Sequence, residues 1–212
     1  MQSLTEKYRP RDIKSFAGLK MAKALMGKLA KEPWESSWLF VGDSGTGKTA
    51  LAFALAEQMG AEVHHVPSSR CDKAMVEELT SKCWYTPMFG NWHLVVVDEA
   101  DQMTTAAQNA FLSVLDGSGH FPPKTVFIFT CNAATKLEKR FQSRCRVIPF
   151  DGTVDSAELG QLLYEVWFAE APAHATAPLM HKLIAESQCN VRAALMAIEM
   201  ELLMVPDARR VA

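Results

Sequence analysis

Short, nearly continuous apolar runs alternate with segments of helical pattern over the first two thirds of the chain. The runs are Trp38 to Gly42, Glu62 to Val66, His93 to Asp98, Thr125 to Asn132 and Arg146 to Phe150. Strands that are buried on both faces are apolar almost throughout, and such strands form parallel sheets covered by helices. The pattern therefore predicts an α/β fold in which helices flank a parallel sheet of five strands.

Helical patterns fill the gaps between these runs and then take over the rest of the chain. The first group is Thr49 to Met59, Asp72 to Cys83 and Thr105 to Leu115, and the second group is Asp155 to Glu170, Pro178 to Ser187 and Asn190 to Met204. The second group contains no strand candidate, and the composition changes near Asp151 and Gly152. We therefore expect a sheet domain over residues 1–151 and a small all-helical domain over residues 152–212. A unit of about 60 residues is marginally stable alone, so it should pack on the sheet domain.

Composition and charge narrow the choice of protein class. The chain of 212 residues has 22 Lys and Arg against 24 Asp and Glu, so bulk charge gives no argument for binding nucleic acid or membranes. The five cysteines show no Cys-x-x-Cys pair and no Cys/His spacing typical of zinc sites, and their odd number argues against a complete disulfide framework. The N-terminus lacks the apolar core of a signal peptide, and no run of about 18 apolar residues occurs. These features predict a soluble, cytoplasmic protein in a reducing compartment, with no membrane partner.

A glycine-rich segment directly follows the first apolar run and directly precedes a helical pattern. It consists of Gly42, Asp43, Ser44, Gly45, Thr46, Gly47, Lys48 and Thr49, which match Gly-x-x-x-x-Gly-Lys-[Ser/Thr]. In this context the N–H groups of the loop and the helix N-terminus face phosphates. We expect Lys48 to contact the β and γ phosphates of ATP, and the Thr49 hydroxyl to ligate Mg²⁺. The alternative is a glycine-rich turn with a chance lysine, which does not explain the order of strand, loop and helix.

Two further apolar runs end in polar residues that suit the same site. Asp98 and Glu99 close the third run, and Asn132 closes the fourth. We expect Asp98 to ligate Mg²⁺ and Glu99 to polarise the attacking water, which implies hydrolysis rather than binding alone. Asn132 would emerge on the same edge and orient that water, although an asparagine that caps the following turn fits the pattern equally well. Glu99 and Asp101 have the alternative role of opening the next helix, where acids favour the dipole.

Together these residues resemble the AAA+ ATPases, and within them the clamp-loader subunits of DNA replication, of the replication factor C type and its phage counterparts. Three stretches carry the resemblance beyond the phosphate loop: Glu6-Lys7-Tyr8-Arg9-Pro10, Asp98-Glu99-Ala100-Asp101 and Gln142-Ser143-Arg144-Cys145. The similarity covers about residues 3 to 204. It implies a P-loop ATPase core that is followed by a helical lid domain.

The resemblance also assigns roles to five residues. Asn132 matches the sensor that aligns the hydrolytic water, and Arg192 matches a second sensor at the start of a lid helix, near the γ-phosphate. Arg144 matches the arginine finger, which in this family completes the ATP site of the neighbouring subunit. Tyr8 and Arg9 match the N-terminal segment around the adenine and ribose. Three alternatives stay open: Arg144 paired with a surface acid, Arg192 on a solvated helix face, and Tyr8 in the core.

For function, the resemblance implies a DNA-stimulated ATPase that binds ATP and Mg²⁺. Such a subunit works in a homo- or hetero-oligomeric ring and loads a sliding clamp onto primer-template DNA, in the nucleoid, a viral replication complex or the nucleus. Helices that begin near Asp72 and Thr104 would face the DNA with Arg70, Lys73 and Lys82 nearby, although a solvated helix face is the simpler interpretation of each lysine. The five tryptophans are expected to be packing residues rather than platforms for bases.

Three departures from the family pattern leave other functions open. Clamp loaders of this type carry a third, helical collar domain, whereas this sequence stops at Ala212, so we expect either an excised fragment or a different assembly. Asp43 and Ser44 stand where small residues or proline are common, and an inward-facing Asp43 would weaken nucleotide binding. Cys189 stands where the family often has glycine, before the second sensor. The alternatives are a helicase loader, a regulator of transposition or recombination, and a module that binds ATP but scarcely hydrolyses it.

Overall fold

A parallel β-sheet forms the centre of the computed structural model, which describes residues 2–117, 119–150, 154–171, 177–188 and 190–204. The strands are β1 (Ser36–Gly42), β2 (Ala61–Pro67), β3 (Trp92–Asp98), β4 (Thr125–Cys131) and β5 (Arg146–Phe150). Their order across the sheet is β2-β3-β4-β1-β5, and every neighbouring pair is parallel. The prediction of a five-stranded parallel sheet is therefore confirmed.

Helices cover both faces of this sheet and form the C-terminal part of the chain. They are α1 (Leu4–Lys7), α2 (Lys20–Lys31), α3 (Lys48–Met59), α4 (Lys73–Cys83), α5 (Thr105–Leu115), α6 (Lys139–Gln142), α7 (Ser156–Glu170), α8 (Ala177–Glu186) and α9 (Val191–Met204). The predicted helices agree with these bounds to within one residue at each end. Helix α2 is not among the predicted elements, although its buried residues Ala22, Met26 and Leu29 follow the helical period.

Side-chain caps and a glycine fix several helix ends. Asp72 accepts a hydrogen bond from the N–H of Met75 at the start of α4, and Thr104 accepts one from the N–H of Ala107 at the start of α5. Such caps satisfy N–H groups that the helix itself leaves unpaired. Gly60 ends α3 in the left-handed conformation, with φ of +59°. These local signals fix where the chain enters and leaves each helix beside the sheet.

The continuous apolar runs are explained by burial on both faces of the sheet. In β3, Val95 and Val97 pack into a cluster with helices α4 and α5, whereas Leu94 and Val96 pack into a second cluster with α2 and α3. All four side chains are fully buried. Because successive side chains of a strand point to opposite faces, a strand between two helical layers needs apolar residues at every position.

A third apolar cluster joins the C-terminal helices to the N-terminal segment. It contains Leu159, Leu163 and Trp167 of α7, together with Leu4 of α1. The N-terminal segment thereby lies against the lid helices, beside the sheet. The predicted domain boundary at Asp151 and Gly152 falls outside the described residues, so the division into two domains stays a prediction.

The five tryptophans are predicted to be packing residues, and they differ in burial: Trp92 is partly buried against the cluster of α2 and α3, and the Trp34 ring packs edge-on against Trp38 with centroids 6.2 Å apart. Trp38 and Trp167 are buried, as predicted for packing residues. Trp34 and Trp84, in contrast, are 38% and 49% exposed. Trp84 directly follows α4 and Trp34 lies just before β1, so both stand where the chain passes along the surface between a helix and a strand.

Candidate nucleotide-binding site

The glycine-rich loop between β1 and α3 has a backbone that requires glycine at three positions. Gly45 and Gly47 have φ of +83° and +93°, in the left-handed region that favours glycine. A Cβ atom at Gly42 would lie 1.9 Å from the carbonyl oxygen of Phe150 on the neighbouring strand. The loop therefore turns tightly at the carboxyl edge of the sheet and leads into the N-terminus of α3, an arrangement that binds phosphate groups.

Lys48, the first residue of α3, is buried within this loop. Its Nζ donates to the carbonyl oxygens of Gly42 at 2.6 Å and Asp43 at 2.8 Å, and to Asn132 Oδ1 at 3.3 Å. Burial lowers the pKa of this amine, against the opposing effect of the Asp98 carboxylate. An anion in the loop would therefore be stabilised by Lys48 and would favour its charged form.

Asp98 ends β3 and contacts the start of α3. Its Oδ1 accepts hydrogen bonds from Thr49 Oγ1 at 2.6 Å and from Thr130 Oγ1 at 2.5 Å. His65 Nε2 lies 3.9 Å from its Oδ2. Carboxylate and hydroxyl oxygens are the donors that Mg²⁺ prefers, and here one of each is already in contact. Thr49 and Asp98 thus fit the metal that the sequence predicts.

Glu99 follows in a strained backbone conformation. Its φ of 55° and ψ of 44° are left-handed, which costs a residue with a side chain on the order of 1 kcal/mol. Its N–H donates to Thr130 Oγ1 at 3.1 Å, so the turn is fixed to β4. Glu99 lines the cleft above the phosphate loop. Asp101, by contrast, lies in the short 3₁₀ helix Ala100–Gln102, is buried, and is not among the residues that line the cleft.

The lid contacts the phosphate loop directly. Asn190 Nδ2 donates to the carbonyl oxygen of Ser44 at 2.6 Å, and Arg192 Nη1 lies 3.3 Å from Ser44 Oγ. A Cβ atom at Gly45 would lie 2.5 Å from Asn190 Oδ1, so the lid rests closely on the loop. Arg192 is exposed but lines the cleft, while Cys189 lies outside the described residues.

Tyr8 and Arg9 line the same cleft from the N-terminal segment. The Tyr8 hydroxyl donates to Glu170 Oε1 at 2.6 Å, and burial together with this carboxylate raises the pKa of the phenol. The guanidinium of Arg9 lies 4.8 Å from the centre of the Phe53 ring, within the range of a cation–π contact. The N-terminal segment is thus attached to the lid on one side and to α3 on the other.

An apolar wall completes the cleft and was not apparent from the sequence. Phe16, Ala17 and Leu19 precede α2, and Val191 and Leu195 belong to the lid helix α9. The Phe16 ring lies 3.5 Å from where a Cβ of Gly47 would stand. Such a wall suits the flat, largely apolar face of a nucleobase. No motif marks these residues; their only signal is that they are apolar and flank a helical pattern.

Most of the sequence-predicted site residues line this one cleft, whose volume is about 320 Å³. They are Tyr8, Arg9, Ser44, Gly45, Thr46, Gly47, Lys48, Thr49, Asp98, Glu99, Asn132 and Arg192. Three described members of the predicted set, Gly42, Asp43 and Arg144, do not line it. Asp43 is exposed, and its carbonyl oxygen accepts from Lys48 and from Thr46 Oγ1.

Arg144 lies at the opposite edge of the sheet, two residues before β5. Its carbonyl oxygen accepts from Ser37 Oγ at the amino end of β1, whereas the phosphate loop begins at the carboxyl end of that strand. The rise from Ser37 to Gly42 amounts to roughly 16 Å of extended strand. The Nε and Nη2 atoms of Arg144 donate to Asp116 Oδ1 at 3.1 and 2.8 Å, which is the surface acid that the alternative interpretation requires.

The strand order, the phosphate loop and the lid define a P-loop nucleotide-binding protein of the AAA+ class. The model of the family described as "ATPase family associated with various cellular activities (AAA)" matches residues 38–151, more than half of the chain. The chain therefore belongs to the AAA ATPase family.

Curated relatives are replication factor C subunits. Replication factor C subunit 4 of Encephalitozoon cuniculi is 29% identical over 167 residues, which cover 76% of this chain and 53% of that protein. Replication factor C subunit 2 of Arabidopsis thaliana is 28% identical over 179 residues, covering 79% of this chain and 52% of that protein. The recognition of the clamp-loader type of AAA+ ATPase is thereby confirmed. The chain spans about half the length of these relatives.

Solved structures show the same fold at lower sequence identity. Thermotoga maritima RuvB, described as a Holliday junction branch migration motor, superposes with a TM-score of 0.78 at 15% identity, covering 96% of this chain and 69% of that chain. This likeness concerns the fold alone. Among the described helices, none is long and apolar enough to cross a membrane.

Proposed function

We propose that this chain is an ATP-hydrolysing, clamp-loader-like subunit of DNA replication, which acts in a multi-subunit ring to load a sliding clamp onto primer-template DNA. The observation that carries the proposal is the cleft, which is lined by the phosphate loop, Asp98, Glu99, Asn132 and the lid residue Arg192. Similarity to replication factor C subunits supports clamp loading over other uses of this core. The protein then acts where DNA is replicated, in the nucleoid, a viral replication complex or the nucleus.

Binding of ATP is an exchange of contacts at Lys48. The amine donates to two backbone carbonyl oxygens and to Asn132, and phosphate oxygens are stronger acceptors because they carry charge. The N–H groups at the start of α3 add to the attraction. Exchange at Lys48 also releases Asn132 from the amine, so the residue that orients water becomes free once nucleotide is bound.

Hydrolysis is assigned to Glu99, with Asn132 and Arg192 in support. Glu99 accepts a proton from the attacking water, and Asn132 holds that water by its amide. Arg192, beside Ser44, provides a cation from the lid side of the phosphate loop. Thr49 and Asp98 would hold Mg²⁺, which when bound would supply positive charge to neutralise the transferred phosphoryl group.

Arg144 is proposed to serve the site of a neighbouring subunit. It lies at the far edge of the sheet from its own phosphate loop, and its guanidinium is partly exposed, at 28% of the side chain. The bond to Asp116 orients the guanidinium in the single chain. A surface ion pair of this kind is weak, so the γ-phosphate at a neighbour's site can replace Asp116 as the partner of Arg144.

A protein partner has a suitable apolar surface at the same edge of the sheet. The segment between α4 and β3 exposes four large apolar side chains, which we call the apolar segment: Trp84, Tyr85, Met88 and Phe89. Their exposed fractions reach 83% at Met88 and 73% at Phe89. Contiguous exposed apolar groups mark protein interaction sites. We assign this segment to the sliding clamp.

DNA contact is supported less directly. Lys73 and Lys82 of α4 form ion pairs with Glu77 and Glu78 on their own helix, as expected for a solvated face. Arg70 is exposed just before α4. We therefore assign DNA binding to the ring as a whole, in which each of several subunits adds a few basic groups.

The test measures steady-state ATP hydrolysis by the protein with its ring partners, with and without sliding clamp and primed DNA. Clamp loading predicts that clamp and primed DNA together stimulate hydrolysis more than either one alone, and that the Glu99→Gln variant shows no stimulation. Stimulation by a helicase but not by the clamp would replace the proposal with helicase loading. ATP binding without turnover under every condition would identify an assembly module instead.

A further inference from the structure

Three side chains with metal-binding atoms meet near the amino edge of the sheet, away from the nucleotide cleft. They are His64 of β2, Cys83 at the end of α4, and His93 of β3. One ligand atom of each lies within 4.8 Å of the others, and His64 Nε2 is 3.0 Å from His93 Nδ1. Sequence spacing gives no sign of this group because each member comes from a different element.

Strand register explains why these residues meet. His93 pairs with Glu62 of β2 on one side and with Thr125 of β4 on the other, and paired residues of parallel strands share a face. His64 follows Glu62 by two positions and therefore points to the same face. That face is covered by α4, whose last residue, Cys83, belongs to the apolar cluster there. The group is thus held by a sheet and a helix rather than by a loop.

The second nitrogen of His93 fixes the orientation of its ring. His93 Nε2 lies 2.9 Å from the carbonyl oxygen of Tyr85, which can only accept, so Nε2 carries the proton. His93 Nδ1 then presents a lone pair to the group, and His64 Nε2 donates to it when no cation is present. A histidine that binds a metal through one nitrogen and a backbone carbonyl through the other is the usual arrangement in metal sites.

The donor set and its spacing favour Zn²⁺. Two imidazole nitrogens and one thiolate suit zinc, whereas the oxygen donors at Thr49 and Asp98 suit Mg²⁺. Tetrahedral zinc holds ligand nitrogens roughly 3.4 Å apart, and His64 Nε2 and His93 Nδ1 lie 3.0 Å apart, while Cys83 Sγ lies within 4.8 Å of both. Cys83 and His93 are buried, while His64 is only half-buried and offers a route of access from solvent. A water molecule would take the fourth position on the metal.

We propose that His64, Cys83 and His93 form a zinc site that fixes the apolar segment in place. The segment is connected to the group at two points: it directly follows Cys83, and its Tyr85 carbonyl oxygen accepts from His93. It is also tied to β2, where Glu62 accepts a hydrogen bond from the N–H of Met88 at 2.6 Å. Binding of Zn²⁺ releases the thiol proton of Cys83 and moves the proton of His64 from Nε2 to Nδ1. This inference does not depend on the proposed function.

Binding is tested on the intact protein after removal of metal with a chelator. Zn²⁺ is titrated against a chromophoric chelator in excess Mg²⁺, which keeps the nucleotide cleft out of the measurement. We expect one zinc per chain with a Kd below about 1 µM, weakened at least tenfold in His64→Gln and in Cys83→Ser. The matched control is Cys71→Ser, since Cys71 is a buried cysteine of the same apolar cluster outside the group; it should bind as the unchanged protein does.

Co²⁺ in place of Zn²⁺ identifies the ligands. A thiolate-to-cobalt charge-transfer band with tetrahedral visible bands is expected in the unchanged protein and in Cys71→Ser, but no charge-transfer band in Cys83→Ser. Thermal melting followed by circular dichroism reports whether each variant folds. His64→Gln, on the half-buried edge position, decides the outcome if Cys83→Ser does not fold. Absence of bound zinc, or a cobalt spectrum that Cys83→Ser leaves unchanged, overturns the site.

The effect on the apolar segment needs its own measurement. Chymotrypsin cleaves after exposed aromatic residues, and Tyr85 and Phe89 are exposed. Zinc should slow cleavage in the segment several-fold in the unchanged protein and have no effect in His64→Gln. If zinc binds but cleavage proceeds at the same rate, the role of the metal in fixing the segment is refuted.

Discussion

The two edges of the sheet differ in what they contain. At the carboxyl edge, Lys48, Asp98 and Asn132 line one cleft, so the groups proposed to act on a nucleotide come from one chain. At the amino edge, Arg144 and the apolar segment face outward. We therefore propose that the carboxyl edge binds a small molecule and that the amino edge contacts another macromolecule.

The topology of parallel strands explains this difference. Each carboxyl end is followed by a turn into a helix, so N–H groups and short polar side chains converge there. Each amino end is instead reached from the end of a helix, as in the segment that joins α4 to β3. That segment does not line the nucleotide cleft, and it exposes side chains such as Met88 and Phe89.

The largest effect is expected for Arg144→Ala, which tests whether Arg144 acts on the site of a neighbouring subunit. Arg144→Ala should bind ATP normally, because its own cleft is intact, yet ring hydrolysis should fall by roughly 10³ to 10⁵ because every site lacks a neighbour's arginine. Hydrolysis is measured at saturating ATP under conditions where light scattering shows association. Arg140→Ala is the matched control, since this neighbouring arginine is more exposed, at 73% of the side chain.

Mixing two variants separates a role in trans from a role in cis. Lys48→Ala subunits keep an intact Arg144 and can present it to an Arg144→Ala neighbour that has bound ATP. Mixtures should therefore recover part of the activity. If no ratio restores hydrolysis although the subunits associate, the two edges belong to independent functions and the ring hypothesis fails.

A second prediction separates chemistry from binding at the carboxyl edge. Glu99→Gln should reduce the rate of hydrolysis by about 10² to 10⁴, because the amide cannot accept a proton from water. ATP affinity should stay close to that of the unchanged protein, because Lys48 and the loop are untouched. Single-turnover kinetics measures the hydrolysis rate, and titration with an ATP analogue measures affinity. Turnover of Glu99→Gln near the normal rate would show that Glu99 is not the general base.

Loss of Lys48 should affect binding itself. Lys48→Ala deletes the cation that lies among the loop carbonyls, and we expect the binding free energy to weaken by about 3 kcal/mol, or roughly 150-fold in Kd. Titration with a fluorescent ATP analogue measures this change. Lys73→Ala, which alters an exposed lysine on α4, should bind like the unchanged protein. Equal affinity in Lys48→Ala would refute the assignment of the loop.

The smallest effect concerns the amino edge alone. Phe89→Ser should lower affinity for the sliding clamp by about tenfold, since a buried aromatic anchor contributes more than ~1 kcal/mol at such interfaces. ATP hydrolysis without clamp should not change. Phe168→Ser, which removes an exposed ring from the lid, is the control. Surface plasmon resonance measures affinity for the clamp. An effect of Phe89→Ser on nucleotide binding would show that the two edges do not act independently.

Sequence patterns predicted the carboxyl edge better than the amino edge, for a physical reason. The phosphate loop and Asp98 lie in short continuous motifs whose place after a buried strand can be recognised. Phe16 and Leu19 of the apolar wall have no such motif, because an apolar wall needs only apolar area, which any nearby segment can supply.

The amino edge depends on contacts between elements that are distant in sequence. His64, Cys83 and His93 come together only through strand register and helix packing, which one sequence does not reveal. Trp84, predicted to be a packing residue, is 49% exposed directly after α4. A pattern read along the chain reports which face of an element is apolar, but not where the chain leaves the core.

The backbone at Glu99 has a consequence for the evolution of this chain. A left-handed φ of 55° is relieved by glycine or asparagine, so a library selected only for resistance to heat should accumulate those residues at this position. Such proteins would keep the nucleotide loop while losing the carboxylate. Thermal tolerance and turnover then select for opposite residues at one site, a conflict common where a fold retains local strain. Under the proposed role of Glu99 as the general base, selection for turnover would retain glutamate at this position.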